Sequence, residues 1–220
     1  MILEFIFRWA HVLFGMVWVG MLYYFNFVQT EYFKEAEADA KADAIKKLAP
    51  RALWWFRWGA MLTFLTGLSL LHQIGASLDF TAMPVIWIGA LAGTLMFLNV
   101  WLIIWPNQKI VIASAEKAAA GGEADPAAAG ALGKAGLASR TNTLFSIPML
   151  FFMASSVHLA QLSTPVMSAG ILSLIVVFGI ILALAINGIK GKTGPMTSVK
   201  GVIHMGLLLT LILYLGIELL

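Results

Sequence analysis

The chain has 220 residues, 60% of them hydrophobic and 11% charged, far above the apolar content of a water-soluble domain. Its formal charge of +3 is spread over connecting segments, not gathered in a patch, and so leaves no electrostatic footprint for nucleic acid. The absence of cysteine excludes disulfides, thiolate metal ligands, iron–sulfur clusters and covalently attached c-type haem.

A run of about 20 apolar residues crosses the bilayer core as a helix. Six windows reach that length, at about 5–28, 52–74, 84–106, 142–163, 166–187 and 199–219. They predict an all-α integral membrane protein, a single domain over 1–220 built as a bundle of six transmembrane helices. The first window is too long for a signal peptide, and Tyr23, Tyr24, Asn26, Gln29 and Glu31 replace a small-residue cleavage site. The following connection, 31–50, is rich in helix formers, and Glu37 and Lys41 at i,i+4 extend the first helix beyond the lipid. The second window carries Arg57, which reaches the interface along its aliphatic stem. The connection 107–141 follows the third window. It is an Ala- and Gly-rich segment broken by Pro126, with charges at Glu116, Lys117, Glu123, Asp125 and Lys134, and it reads as a solvated, partly helical loop. Pro148 introduces a kink into the fourth helix. The connection 188–198 carries the turn formers Gly188, Gly191, Gly194 and Pro195.

Thirteen of the fourteen Lys and Arg residues fall on one side of this six-span reading, and Arg8 is the exception. The connections 75–83 and 162–165 contain neither residue type. The positive-inside rule therefore puts the basic loops 31–50, 107–141 and 188–198 in the cytoplasm of a bacterial inner-membrane protein, with both termini outside.

That topology places the four histidines. His11 lies about two turns below the outer surface, and His158, on the outward-running fourth helix, reaches a similar depth. His72 sits at the outer interface, while His204 is on the cytoplasmic side. Two neutral imidazoles at one depth on different helices suit the two axial positions of a haem b. His11, Phe14, Gly15, Trp18 and Leu22 share one stripe. Along it, Gly15 leaves room for a flat porphyrin or a close helix, and Arg8, at i−3, suits a haem propionate. A transmembrane histidine also serves simply as a hydrogen-bonded tie between helices, so both readings stand. On the cytoplasmic side Arg57, Asn107, Asn142, Lys200 and His204, with Asn99 and Thr141 nearby, form a candidate polar pocket for a planar anion, about 15 Å from the outer histidines.

The stretches RWAHVLFGMVWVGMLYYFNFVQT (8–30), APRALWWFRWGAMLTFLTGL (49–68), FLNVWLIIWPNQK (97–109) and SRTNTLFSIPMLFFMASS (139–156) resemble the membrane domain of bacterial membrane-bound, cytochrome-c-coupled urate oxidases. The resemblance covers about a third of the chain and implies oxidation of urate to 5-hydroxyisourate. Members of that family continue into a cytochrome c domain. The 220 residues contain none, so electrons are expected to pass to a separate c-type cytochrome or a quinone. Under this reading Arg57 and His204 are the catalytic candidates, His204 as a base. Asn107, Asn142 and Lys200 hold the substrate. His11, His158, Arg8, Gly15 and Trp18 line the haem site. The first helix is also similar, over a shorter stretch, to cytochrome-b-like protoporphyrinogen oxidases. Two other functions fit the same residues. One is a non-catalytic haem subunit of a larger respiratory assembly, and the other is a cofactor-free transporter or scaffold, alone or as a homo-oligomer.

Overall fold

The computed structural model describes residues 2–73, 75, 83–158 and 170–220. The expected helix ends at 159–163 and 166–169 lie outside these residues. Every regular element among the described residues is helical. There are six long helices: α1 (Ile2–Glu35), α2 (38–73), α3 (Pro84–Ala119), α4 (Ala128–His158), α5 (Ile171–Lys190) and α6 (Val199–Leu219). A short 3₁₀ turn, Gly194–Thr197, joins the last two.

Four of them, α1, α3, α5 and α6, are long and apolar enough to cross a membrane. The outward faces of α1, α5 and α6 carry exposed Phe5, Ile6, Ile171, Ile175, Leu207 and Leu211, as lipid-facing surfaces do. Helices α2 and α4 have the length, the 31 residues of α4 rising about 46 Å. Their mean hydropathy is diluted by polar side chains, among them Thr63, Thr66, Arg140, Thr141, Asn142, Thr143 and Ser146, all of them buried. These residues face neighbouring helices instead of lipid, where an unmatched polar group would be costly.

The helices overrun the apolar windows. The segment 107–141 is helical except for a turn at 120–127, because alanine keeps an α-helix winding even without an apolar stripe. Gly121, at φ +86°, closes that turn. α1 ends at Glu35, and Ala36 and Glu37 are extended, so Glu37 and Lys41 do not prolong it. The helix of α4 continues through Pro148. Three stretches wind as π-helix: Tyr24–Gln29 in α1, Ala44–Leu48 in α2 and Asn99–Ile104 in α3.

Small residues set the packing, as expected where the hydrophobic effect does not drive helices together. α1 and α2 lie antiparallel, with Gly59 so close to Trp18 that an added Cβ would stand 3.1 Å from its backbone nitrogen. α4 is the hub. Met149 and Met153 lie over Gly93 and Gly89 of α3, Thr141 over Gly188 of α5, and Ile147 over Gly206 of α6. Tyr23 and Asn26 of α1 reach it at Ser146 and Ser139.

Candidate functional site

Two groups of buried polar residues emerge, one around His11 and one along α4. His11 Nδ1 lies 2.9 Å from the Thr63 carbonyl and 3.1 Å from Thr66 Oγ1. A carbonyl can only accept, so Nδ1 carries the proton. The Thr66 hydroxyl spends its own proton on the Leu62 carbonyl at 2.6 Å and is free to accept as well. In its neutral form the ring is thereby held in the tautomer whose Nε2 keeps its lone pair. Gly67 lies beneath the ring, where an added Cβ would be 3.0 Å from Cε1.

The rest of the expected outer site is differently arranged. The side of α1 around Gly15 is occupied by α2, with the Thr63 methyl 3.9 Å from where a Cβ would sit, so the stripe accepts a close helix. Trp18 is buried in the same seam, and its indole Nε1 has no hydrogen-bond partner. Arg8 pairs with Glu4 at 2.7 Å on the exposed surface. His158 is exposed at the end of α4, and His72 is exposed near the end of α2. The contacts Tyr23–Ser146 and Asn26–Ser139 make α1 and α4 antiparallel, so His11 and His158 stand at the same end of the bundle. Each lies twelve residues beyond the Tyr23–Ser146 bond, about 18 Å of helix.

The expected cytoplasmic set is not drawn into one buried group. The Arg57 guanidinium lies flat over the Trp105 ring, 3.4 Å from its centroid, and its Nε donates to the Leu53 carbonyl at 3.2 Å. Asn107 turns back to the Ile103 carbonyl of its own helix. Lys200 and His204 are exposed on α6. Asn142 and Asn99 do meet. Asn99 Nδ2 donates to Asn142 Oδ1 at 2.8 Å, and Asn142 Nδ2 donates to the Met96 carbonyl at 2.9 Å.

Asn142 belongs to a polar seam that the sequence reading did not assemble. Residues 140–146 of α4 are all buried. Ser139, Asn142 and Ser146, at i, i+3 and i+7, share one face. Asn26 Nδ2 donates to Ser139 Oγ at 2.8 Å, and the Tyr23 hydroxyl bonds Ser146 Oγ at 2.9 Å. Asn26 and Asn99 each lie in a π-helical stretch, the kind of local rewinding that recurs at functional sites. Arg140, within the same run, is 7% exposed, and its Nη1 is buried with no hydrogen-bond partner. The signal was present as the 3–4 spacing of polar residues in SRTNTLFS, but the segment before it reads as loop.

Comparison with protein families matches residues 79–214, more than half of the chain, to the family described as urate oxidase N-terminal. The chain belongs to that family. The match takes in α3 to α5 and most of α6, and with them His158, Arg140, Asn142, Asn107, Lys200 and His204. His11, Arg8 and Arg57 precede it. Neither the curated proteins nor the solved structures contain a match to this family member.

Proposed function

We propose that this chain is the membrane-embedded, haem b-binding part of an oxidoreductase that converts urate to 5-hydroxyisourate. Urate and one water together give up two electrons and two protons, the water adding to the oxidised ring as the new hydroxyl; the electrons leave to a c-type cytochrome or a quinone and the protons to solvent. Family membership supports the substrate class. The observation that carries the cofactor assignment is the tether on His11, whose Nδ1 proton is committed to the Thr63 carbonyl while Nε2 is left as a ligand nitrogen. His158, at the same end of the bundle, is the candidate for a second ligand.

A haem bound there would supply a one-electron carrier, which lets a two-electron oxidation proceed in single steps. The chain's own residues do the rest. Thr63 and Thr66 keep the His11 ring in one orientation. The buried amides of the α4 seam spend their donors on protein partners and hold α1 and α3 against α4. The distribution of Lys and Arg supports six spans with both termini outside, which puts the histidine end of the bundle toward a periplasmic acceptor.

The test is a reduced-minus-oxidised absorption spectrum of the purified chain in detergent, with urate in place of dithionite. Haem b bands that urate reduces, and that His11→Ala removes while His72→Ala leaves them intact, are the expected result. A folded preparation without haem bands, or bands indifferent to urate, would overturn the proposal.

A further inference from the structure

Resting on the urate reading, we infer that Arg140 and Gln29 form the subsite that holds the substrate anion, at the junction of α1 and α4. Arg140 is more than nine-tenths buried, yet its Nη1 lacks a partner. A buried guanidinium left in that state is a heavy desolvation cost, which native interiors rarely carry without a ligand to meet it. Glu31, two residues beyond Gln29, has both its oxygens engaged by Lys34 Nζ, at 2.8 and 2.7 Å.

A complementary atom lies on α1, three residues beyond the Asn26 that bonds Ser139. Gln29 Oε1 is also buried without a partner, an acceptor where Arg140 offers a donor. Gln29 ends the π-helical stretch of α1 that carries Asn26, and Asn26 bonds Ser139, the residue before Arg140. Two hydrogen bonds bring this stretch of α1 to this turn of α4, Asn26–Ser139 and Tyr23–Ser146. A urate monoanion is planar, with acceptors along one edge and N–H donors along another. The flat fork of Arg140 suits the first edge and the Gln29 carbonyl oxygen the second. The other basic candidates are less suited. The Arg57 plane is stacked on Trp105, and Lys200 is exposed.

The experiment is equilibrium dialysis of radiolabelled urate against the detergent-solubilised full chain, paired with its melting temperature in the absence of urate. Arg140→Met should weaken urate binding at least about tenfold, the loss of one charge-assisted bidentate contact. The same variant should melt no lower than the wild type, because it removes an unmatched buried charge. Arg140→Lys should bind with intermediate affinity. Urate binding that survives Arg140→Met refutes the subsite and leaves the urate reading standing, and failure of the wild type to bind urate refutes both. Collapse of both the Met and Lys variants would make Arg140 a structural residue and also overturn the inference.

Discussion

Gly67→Ala tests the tether on His11 most directly. The added Cβ would stand 3.0 Å from Cε1 of the ring, where an ordinary contact needs about half an ångström more. The ring must retreat by roughly that amount, and the Nδ1 bonds at 2.9 and 3.1 Å stretch beyond good geometry. Losing both costs about 2 kcal/mol at about 1 kcal/mol each. The higher helix propensity of alanine returns up to about 1 kcal/mol. Gly15→Ala is the matched control, since its Cβ would meet only the Thr63 methyl at an ordinary 3.9 Å. The two variants share the propensity gain and should therefore differ in unfolding free energy by about 2 kcal/mol, measured by denaturant titration in detergent. If His11 binds haem, Gly67→Ala should also shift the low-spin haem signal in electron paramagnetic resonance, and Gly15→Ala should not. Equal stability and an unmoved haem signal in the two variants would refute the account of His11 given above.

Two further outcomes follow from α4. Asn142→Ala leaves the Asn99 side-chain amide without its acceptor in the core and should destabilise by about 1–3 kcal/mol. Asn107→Ala, which loses only a bond within its own helix, should cost less than about 1 kcal/mol in the same titration. Gly188→Ala would place a Cβ 2.6 Å from Thr141 Oγ1 and should cost about 1–3 kcal/mol by forcing α4 and α5 apart. Adding Thr141→Ala removes the hydroxyl and methyl but leaves a Cβ 2.9 Å away, so it should restore part of that loss in a double-mutant cycle, and an additive result would show that the two helices do not meet there.

The apolar windows were enough to place the long helices, since hydropathy reports burial in lipid directly. They located α1, α3, α5 and α6 to within a few turns at each end. They were least informative for α4. Its first eleven residues are mostly Ala and Gly, with no stripe to read, so Arg140 was taken for the end of a loop when it lies in the middle of a buried helix. The common depth of Asn99 and Asn142 was legible, but their pairing was not. Neither were the partners of His11, because a helix can be rotated about its axis without changing the depth of any residue. The π-helical stretches left no trace in composition. The exposure of Lys200 and His204 was equally hidden: charge near a cytoplasmic loop is required by topology whether or not it serves a site.

The π-helical stretches also bear on how the length of these spans can change over evolution. A membrane helix seldom tolerates insertion or deletion, because one residue turns everything beyond it by about 100°. Each π-helical stretch widens the coil locally, and so acts as a slack turn in a transmembrane helix. Loss of one residue from Tyr24–Gln29 or Asn99–Ile104 could be absorbed by tightening to α-helix, with the flanking spans left in phase. The helix outside the slack turn would keep its lipid-facing pattern, and the change would fall on Asn26 or Asn99 and its partner on α4. A one-residue change of length at these stretches would thus alter the seam where the buried polar residues meet and leave the surrounding scaffold in register.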